Sequence, residues 1–530
     1  MKKKAILCLI CIMTLFTGCG VSSNEEVLDG KEEVAKVELE ENIENIKVLD
    51  IKTQDLEYLK PEELTYRHVN VIEDDILFTE KYSEELEGVL TFRGNNFRDA
   101  PSYGISKIEK EKISEKWNFT TSSSSWGGGA GWTGQSALVK WPNDVKQGMN
   151  MTQEFKDKEG GVEVIQASLD GKIYFLDAST GEETRESINV GNPIKGSLSI
   201  DPRGIPLLYV GEGINESSAI GFNIYSLIDG EKLYEVSNDP DAPRGWGAFD
   251  SSAIVSGDTD SVIVPGENGI IYKIKLNTKY DKEKNTIDIE PSVGKYIYDA
   301  RGYAGVESSM ATYANLGFFA DNKGYINCID LNNMKPVWQV NGMDDTDATL
   351  VIDVEGDKPY IYSGSEVDKQ GSVGFSYIKK IDAITGKVIW EKEFECESLL
   401  GASPVNGGML STPVVGKNDI DDLVIFSLSR YDGFNSGLLV ALDKATGEIK
   451  WENKLDNYAW SSPVDFYNKD GKGYILQGDS IGNMFLIEGK TGQVLDQITL
   501  NANIEASPAM FNDTVVVATR GGSIYGLEIE

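Results

Sequence analysis

The sequence of 530 residues predicts an all-β protein, an eight-bladed β-propeller of four-stranded antiparallel blades, and three observations support this prediction. A turn motif with fixed Asp, Gly and Trp positions recurs along the chain. A small polar residue leading into an apolar strand recurs eight times between residues 136 and 507, so the seven intervals average 53 residues. A Trp-containing strand at 113–119 precedes the first repeat, whereas the last repeat lacks that strand. Repeats of this length made only of short strands are typical of propellers.

The N-terminus is typical of a secreted bacterial lipoprotein. Lys2, Lys3 and Lys4 precede an apolar run over 5–16, and Thr17-Gly18-Cys19 follows. The run is too short for a membrane span, and its ending resembles a bacterial lipobox, in which the cysteine becomes the lipidated first residue. We predict a signal peptide over 1–18, lipidation of Cys19 and a lipid-anchored position on the extracytoplasmic face of a bacterial membrane. The alternative is an ordinary secretory signal with a chance cysteine.

An acidic segment separates this signal from the repeats. Residues 20–87 hold 21 acidic and 7 basic side chains, with few aromatic ones. Such a composition gains little from burial, so we predict a largely disordered tether over 19–88 and a propeller over 89–530. The whole chain has 50 Lys and Arg against 85 Asp and Glu, a formal net charge of −35. That charge excludes a basic nucleic-acid-binding protein, because binding to phosphates needs clustered positive charge.

The turn motif is most complete at 441–451, where it reads Ala-x-Asp-x-x-x-Gly-x-x-x-Trp. Asp443 can accept hydrogen bonds from the turn backbone, Gly447 permits a positive φ, and Trp451 is a large packing side chain on the following strand. The frame recurs around Asp382 and Asp330, with Trp390 and Trp338. In two further copies the Trp position holds other residues: Arg185 after Asp177 and Asp496 after Glu488.

The innermost strand of each blade is predicted to follow a small polar residue. The eight starting residues are Ser136, Ser197, Ser252, Ser309, Thr349, Thr412, Ser462 and Ser507. The eighth repeat ends at the C-terminus before its Trp strand, while 113–119 supplies a strand with Trp117. Pairing the two would close the ring and remove a free sheet edge. We therefore predict that an N-terminal strand completes the C-terminal blade.

The 441–451 segment resembles the repeat of the pyrroloquinoline-quinone-type (PQQ-like, quinoprotein dehydrogenase-like) β-propeller family at every fixed position. The stretch Phe92-Arg93-Gly94-Asn95-Asn96-Phe97-Arg98 is similar to the segment that often opens such propellers. The resemblance covers roughly 90–530 and implies the fold. It also implies that Trp117, Trp338, Trp390 and Trp451 dock one blade onto the next. It implies little about function, because the family includes both enzymes and non-enzymatic scaffolds.

The dehydrogenases of this family hold the quinone over the channel with Ca²⁺, a catalytic Asp and a disulfide between adjacent cysteines. This sequence has no adjacent cysteines; beyond Cys19 only Cys328 and Cys396 remain. His68 is the single histidine and precedes the propeller, so a His-containing triad or a His-rich zinc site in the propeller is excluded. We therefore predict no catalytic residue.

Two acidic turns are candidates for a calcium site. Asp353 and Asp357 in one turn, and Asp465 and Asp470 in another, place oxygen ligands in the alternating way of small calcium loops. Neither turn adds a downstream Glu at the spacing that a calcium loop needs. The alternative is that both are plain hairpin turns, which use Asp and Gly for geometry.

A ligand is expected at the loops that lead into the innermost strands, because these loops surround one end of the channel. Two of them repeat an unusual pattern: Arg244 and Trp246 lead to Asp250, and Arg301 and Tyr303 lead to Glu307. Trp132, Trp460 and Arg430 are predicted to lie on the same face. Aromatic, guanidinium and carboxylate groups together can bind a sugar or a peptide. The alternative is that the Arg and acidic residues form structural bridges between blades.

Two functions are compatible with these features. The first is a non-catalytic, lipid-anchored extracytoplasmic scaffold that uses its channel face to bind an envelope protein or a polysaccharide or peptide ligand, with no cofactor and no nucleic acid. The second is a quinone-dependent dehydrogenase that oxidises an alcohol or sugar outside the cytoplasm, with pyrroloquinoline quinone and calcium as cofactors. The first is favoured, because the second lacks the adjacent cysteine pair.

Overall fold

The computed structural model describes residues 46–49, 64–131, 134–299, 302–401 and 404–530. Within these ranges eight sheets are arranged as an eight-bladed β-propeller, which confirms the predicted fold class. The helices described are short: α1 (Asn143–Gly148), α2 (Gln153–Asp157) and a 3₁₀ turn at Asn418–Ile420. None of the described helices has the length and apolar character to span a membrane.

Each blade has four antiparallel strands, which are numbered along the chain and run in order from the innermost strand outward. Blade 1 contains β5 (Ala137–Lys140), β6 (Glu163–Ala167), β7 (Lys172–Asp177) and β8 (Ile188–Asn189); blade 2 contains β9 (Ser199–Ile200), β10 (Leu207–Gly211), β11 (Gly221–Ser226) and β12 (Lys232–Ser237). Blade 3 contains β13 (Ile254–Ser256), β14 (Ser261–Pro265), β15 (Ile271–Lys275) and β18 (Ser292–Asp299); blade 4 contains β19 (Ala311–Tyr313), β20 (Leu316–Ala320), β21 (Tyr325–Asp330) and β22 (Lys335–Asn341).

The second half of the ring continues in the same way. Blade 5 contains β23 (Val351–Glu355), β24 (Lys358–Gly364), β26 (Val373–Asp382) and β27 (Val388–Glu397); blade 6 contains β29 (Val414–Val415), β30 (Leu423–Ser429), β31 (Gly437–Asp443) and β32 (Ile449–Leu455). Blade 7 contains β33 (Val464–Tyr467), β34 (Gly473–Gly478), β35 (Asn483–Glu488) and β36 (Val494–Thr499); blade 8 contains β37 (Ala509–Phe511), β38 (Thr514–Thr519), β39 (Ser523–Ile529) and β4 (Ile113–Thr120). The additional strands are β1 (Thr65–Val69), β2 (Glu87–Val89), β3 (Ser102–Tyr103), β16 (Lys279–Asp281), β17 (Thr286–Asp288), β25 (Glu366–Val367) and β28 (Gly407–Gly408).

The ring is closed by strands from the two ends of the propeller, as the sequence predicts. β4 pairs antiparallel with β39, from Ile113 opposite Ile529 to Thr120 opposite Ser523. Trp117 lies opposite Gly526 in this ladder. Blade 8 is therefore completed by an N-terminal strand, and its third strand is not left as a free edge.

Tryptophan side chains join each of four blades to the next. In each case the indole Nε1 donates a hydrogen bond to a carbonyl oxygen of the following blade. The pairs and distances are Trp117 to Ala178 (2.9 Å), Trp338 to Ala383 (3.0 Å), Trp390 to Lys444 (2.9 Å) and Trp451 to Gly489 (3.1 Å). The ring therefore uses one repeated joint, with the partner in the turn that carries the fixed Gly.

That fixed Gly is required at these joints for two reasons. Gly447 has φ +69°, a region that favours glycine, and a Cβ at this position would lie 2.9 Å from Cδ2 of Trp390. Gly181, Gly386 and Gly492 are in the same situation against Trp117, Trp338 and Trp451. The motif thus places an indole directly on glycine backbone of the next blade.

Charged side chains replace the indole at two other joints. Arg185 stands at the Trp position of blade 1 and donates from Nη1 to the Leu227 carbonyl of blade 2 at 2.7 Å. Its guanidinium also forms a buried ion pair with Glu163, at 2.5 Å from Nη2 to Oε2. Between blades 3 and 4, Lys273 donates to the Leu331 carbonyl at 2.9 Å. The hydrogen bond between blades is therefore kept although the tryptophan is not.

The small polar starting residues form a second set of contacts between blades. The backbone N–H of Ser252 donates to Oγ of Ser309, and that of Ser309 donates to Oγ1 of Thr349, both at 2.9 Å. On the opposite side of the ring the N–H of Thr412 donates to Oγ of Ser462 at 2.9 Å. Short hydroxyl side chains recur at these positions because they satisfy the backbone of the neighbouring blade.

The channel is filled by residues 87–106, a segment that we call the plug. It pairs with blade 1 through β2 and with blade 8 through β3. Its carbonyl oxygens at Leu90, Asn96 and Phe97 accept hydrogen bonds from blades 2, 4 and 5, while Thr91 bonds Ser252 of blade 3. Two arginines within the plug complete the contacts.

Arg93 and Arg98 are both fully buried. Arg93 donates to the carbonyls of Pro463 at 2.5 Å and Pro413 at 3.0 Å, in blades 7 and 6. Arg98 donates to the Met310 carbonyl of blade 4 at 2.8 Å. Burial lowers the pKa of each guanidinium to about 10, so both remain charged at neutral pH. The plug therefore contacts all eight blades.

Part of the predicted tether belongs to the folded protein. Residues 64–88 include β1, which adds a strand to the outer edge of blade 3, and Phe78, which exchanges two backbone hydrogen bonds of 2.8 Å with Ala314. His68 lies in β1, and its Nε2 is 2.6 Å from the Met334 carbonyl oxygen. Residues 1–45 and 50–63, with the predicted signal and most of the tether, lie outside the described residues. Residues before 89 thus contribute to the fold, because β1 and Phe78 pair with blades 3 and 4.

Candidate functional site at the channel mouth

One end of the channel is surrounded by the loops that precede the innermost strands, and we call it the mouth. In every blade the residue two positions before the small polar starting residue belongs to the loop at this end. These eight residues, which we call the mouth ring, are Gly134, Lys195, Asp250, Glu307, Asp347, Leu410, Trp460 and Glu505. One side of the ring is thus charged, whereas Leu410 and Trp460 make another side apolar.

An ammonium group lies among three carboxylates in the charged part of the ring. Lys195 forms an ion pair with Asp250, and its Nζ lies 4.0 Å from Oε1 of Glu267 and 3.9 Å from Oε2 of Glu307. The three carboxylates can also approach a single point, as the ligands of a metal ion do. In this structure Lys195 supplies the positive charge there. The three neighbouring carboxylates keep its pKa above the ordinary value, although burial alone would lower it.

A second acidic group follows around the ring in blade 5. Asp347 belongs to the mouth ring, and Glu366 reaches it from β25. The side chains of Asp347 and Glu366 hydrogen-bond to each other, and the buried Oε1 of Glu366 and Oδ1 of Asp347 accept no hydrogen bond from any other residue that the structure describes. Oε2 of Glu366 accepts one from Nδ2 of Asn406 at 2.8 Å. Burial and the mutual repulsion of neighbouring carboxylates both favour the neutral forms of these groups.

The pKa values of these carboxyl groups are raised accordingly. Burial raises the pKa of Glu307 to about 7, with Asp250 adding to the effect and Lys195 opposing it. Burial and the neighbouring Asp368 and Asp344 raise the pKa of Asp345 to about 6, against the opposing effect of Lys369. The pKa values of Asp347 and Glu366 are raised further, because both are buried and each lies among other carboxylates. The mouth therefore has more acid groups than its cations neutralise.

Arg244 and Trp246 line a groove beside the charged part of the mouth, between blades 2 and 3. The groove has a volume of about 330 Å³, and the Trp246 side chain is exposed at its edge. The Arg244 backbone N–H donates to the Asn268 carbonyl, while its Nη1 is buried without a hydrogen bond to any described residue. Tyr303, from the next blade, is also exposed. Trp246 and Tyr303 are thus exposed, whereas Arg244 is partly buried, and a role of these residues in binding stays a prediction.

Arg430 is different, because its guanidinium is already enclosed. It is 2% exposed and lies between the rings of Phe434 and Tyr458, at 3.9 and 4.3 Å from their centres. Its Nη1 also donates to the Phe434 carbonyl at 2.7 Å. Trp460 is half-buried and donates from Nε1 to the Asn406 carbonyl at 3.3 Å. Arg430 thus fixes a loop, whereas Trp460 lines the mouth.

The remaining predicted residues are either outside the described part of the chain or in other contacts. Trp132, Arg301 and the lipidation candidate Cys19 are outside the described residues. Asp353 forms an ion pair with Lys444 at 2.8 Å, and Asp465 accepts a hydrogen bond from the Tyr467 hydroxyl. Asp357 and Asp470 lie in the two turns that contain Gly356 and Gly471, both at positive φ. None of these four acids belongs to the group of described residues that could share a metal ion.

Comparison with known proteins connects the repeat to a family. A family model described as PQQ_2, outer membrane protein assembly factor BamB, matches residues 322–522, which span blades 4 to 8. The match includes three of the four docking tryptophans. Over these residues the chain is similar to the PQQ-like β-propeller family. The similarity supports the fold and the repeat, and leaves the activity to be argued from the site.

Three relatives show how far the similarity extends. Outer membrane protein assembly factor BamB of Yersinia pestis is 25% identical over 231 residues, covering 40% of this chain and 51% of that protein. The chain thus spans about half the length of this curated relative. Quinohemoprotein alcohol dehydrogenase ADHIIG of Pseudomonas putida HK5 is 12% identical over 84% of this chain and 80% of its own, with a TM-score of 0.55. BamB of Moraxella catarrhalis is 18% identical over 74% of this chain and 98% of its own, with a TM-score of 0.47.

The mouth does not fit a quinone cofactor in the manner of the dehydrogenases. The cavity directly above Phe92 of the plug has a volume of about 10 Å³, enough for about one water molecule. A bound organic cofactor needs roughly 300 Å³ or more. Cys328 and Cys396 are both free and buried, in β21 and β27, so they cannot supply a disulfide between adjacent residues. No step through a quinone is therefore derived.

Several residues of the site were not predicted from the sequence. Lys195, Glu267, Asp347 and Glu366 carry most of the charge at the mouth, yet of the carboxylates there only Asp250 and Glu307 are predicted from the sequence. The signal for Lys195 and Asp347 was present, because both stand two residues before a starting residue, as Asp250 and Glu307 do. Glu267 and Glu366 had no such marker, since they come from the loops after the second strand of their blades.

Proposed function

We propose that this protein is a non-catalytic scaffold that binds an envelope protein through the loops at the channel mouth. The observation that carries the proposal is the plug. Because residues 87–106 fill the channel up to Phe92, the mouth is a shallow, charged surface and not a deep cavity. Shallow surfaces with exposed aromatic groups and polar surroundings are typical of binding sites for macromolecules, whereas small molecules are bound in enclosed cavities.

Two further features support a protein partner. Trp246 and Tyr303 are exposed at the mouth, and aromatic side chains are enriched in protein interfaces. The relative from Yersinia pestis is named as an assembly factor for outer membrane proteins, and a role in which one protein binds others is consistent with this name. The aromatic groups on this face would also permit binding of a polysaccharide or peptide ligand.

The proposal includes a place for the protein outside the cytoplasm. The first 19 residues read as a lipoprotein signal ending in Cys19, and an acidic segment follows. A lipid on Cys19 would hold the propeller at the extracytoplasmic face of a bacterial membrane, and the like charge of the segment would keep it off anionic lipid headgroups. Palmitate labelling of the wild-type protein and of C19A tests this part, with label expected only on the wild type.

The binding proposal is tested by in-cell crosslinking followed by purification of the protein with its crosslinked partners. The variant R244A/W246A/Y303A removes three side chains from the mouth. We expect it to lose about tenfold or more of the crosslinked partner, because a few central residues dominate most interfaces. The matched control I389A/I449A/V494A removes three exposed apolar side chains from outermost strands. Equal loss in both variants, or retention by the mouth variant with an intact fold, would contradict the proposal.

The dehydrogenase alternative is tested by reconstitution with pyrroloquinoline quinone and Ca²⁺. A dye-linked assay with alcohols and sugars should show no turnover above the protein-free control, because the cavity above Phe92 is too small for the cofactor. Saturable turnover would support the dehydrogenase and contradict the non-catalytic scaffold.

A further inference from the structure

The mouth ring already contains one site for an ammonium group, and it shows what such a site needs. Lys195 lies beside Asp250 of the ring, Glu267 of the following loop and Glu307 of the next blade. The site therefore combines two ring carboxylates from neighbouring blades and one carboxylate from the loop after the second strand of blade 3.

Blade 5 repeats two of these three carboxylates without its own cation, and Leu410 stands at the ring position of the next blade. Asp347 corresponds to Asp250, since each stands two residues before a starting residue. Glu366 corresponds to Glu267, since each lies two residues after the second strand of its blade, β24 or β14. In the part of the chain that is described, neither Asp347 nor Glu366 forms an ion pair within 4.0 Å. Lys369 is paired with Asp345 at 3.9 Å, and Lys195 lies with the blade 3 group.

The lack of a cation beside Asp347 and Glu366 matters because the carboxyl oxygens concerned are buried. Glu366 is 1% exposed, and its Oε1 accepts no hydrogen bond from any described residue other than Asp347. The cavity of about 10 Å³ above Phe92 is lined by Asp347, Glu307 and Leu410. A volume of this size accommodates a group about as large as one water molecule, which is the size of an ammonium head. Asp347 thus lines the cavity directly, and Glu366 is connected to it through the hydrogen bond with Asp347.

We propose that Asp347 and Glu366 bind the ammonium group of a lysine side chain from the protein partner. The inference rests on the proposed function and names the chemistry that the mouth recognises. The methylene groups of the lysine would lie against Leu410 and Trp460 of the ring, since lysine commonly buries its stem along apolar surface while its charge finds a polar group. The partner lysine would complete blade 5 as Lys195 completes blade 3.

Fluorescence anisotropy with labelled decalysine on the purified full chain tests this inference. The variant D347N/E366Q keeps the shape of both side chains and removes their charge. We expect its dissociation constant for decalysine to rise about tenfold or more, because loss of a buried charge partner weakens binding strongly. The control E393Q/E395Q removes the same charge from two exposed residues of β27 in the same blade, and its dissociation constant should change by less than about twofold.

Leu410→Lys provides a second test that keeps both acids. It places a tethered ammonium next to Asp347 in the ring, so decalysine binding should again weaken about tenfold because the site is filled from within. Equal weakening in D347N/E366Q and E393Q/E395Q would reduce the effect to general charge attraction and overturn the inference. Stoichiometric Ca²⁺ binding that D347N/E366Q abolishes, with no specific effect on decalysine, would assign the acids to a metal and also overturn it.

The two proposals fail in different ways. Decalysine binding is measured on the purified protein, without a cellular partner. If D347N/E366Q binds decalysine as tightly as the wild type does, the result contradicts only the lysine site. Crosslinked partners that persist in R244A/W246A/Y303A contradict the scaffold, whatever the affinity for decalysine.

Discussion

Trp338 shows at the level of a single residue how the ring is held together. Its side chain is fully buried, donates to the Ala383 carbonyl of the next blade at 3.0 Å and covers Gly386. Trp338→Ala would remove this joint and leave a large cavity. We expect it to lower the free energy of unfolding by about 3–5 kcal/mol in urea denaturation. The control I449A, at an exposed position of β32, should change stability by less than about 0.5 kcal/mol; a similar small loss for W338A would contradict the docking role.

The carboxyl group of Glu307 makes a prediction about pH. Burial raises its pKa to about 7, and its side chain is 20% exposed. Above about pH 4.5 the Glu307 carboxyl group is ionised in the unfolded chain but still protonated in the folded state. Its contribution to the free energy of unfolding therefore falls as the pH rises towards about 8. The stability of the wild type relative to E307Q should fall by about 1–3 kcal/mol between pH 5 and pH 8.

Thermal or urea unfolding at a series of pH values measures this difference. E393Q, which removes an exposed carboxylate from β27, is measured in parallel as the matched control. A relative stability of wild type over E307Q that rises with pH would mean that Glu307 is charged in the folded protein and well paired.

The element that determines the character of the channel is the plug. Arg93 donates to the carbonyls of Pro413 and Pro463, two buried residues of blades 6 and 7. Arg93→Met keeps much of the volume but removes these donors. We expect it to lower the free energy of unfolding by about 2–5 kcal/mol, because buried acceptors are left unpaired. The control R67M changes an arginine in β1 whose side chain is about half exposed, and should cost little; equal effects would show that the plug does not tie the blades together.

The sequence predicts the blades better than it predicts the plug. Repeats 53 residues apart, Trp117 before the first one and the missing last strand were enough for eight blades and their closure, because each depends on a local pattern. The role of Phe92–Arg98 depends on contacts with residues far away along the chain, which no local pattern encodes. For the same reason only part of the mouth was predicted. Asp250 and Glu307 share a sequence motif, whereas Glu366 and Glu267 lie in other loops that only the folded structure brings to the mouth.

Closure of the whole ring depends on the pairing of β4 with β39. A Cβ on Gly526 would lie 2.1 Å from Cε2 of Trp117, so Gly526→Val forces the indole out of its joint. We expect a loss of about 1–3 kcal/mol or more that appears as a shift of one cooperative transition, since every blade depends on its neighbours. Gly245→Val, at a position with open space around the added atoms, is the matched control. An early separate transition of blades 8 and 1 in G526V would instead mean that the blades unfold independently.

The central claim concerns the whole molecule: the channel mouth, and not the outer edge of the ring, is the surface that binds a protein partner. Site-specific photo-crosslinking in intact cells tests this claim most directly, with the photoreactive residue placed at Trp246 or Tyr303 in the mouth and at Ile449 on the outermost strand of blade 6. All three side chains are exposed, so each reports on its surroundings. We predict crosslinks to an extracytoplasmic protein from Trp246 and Tyr303 and none from Ile449. Crosslinks to the same protein from Ile449 alone, or equally from all three positions, would contradict the account.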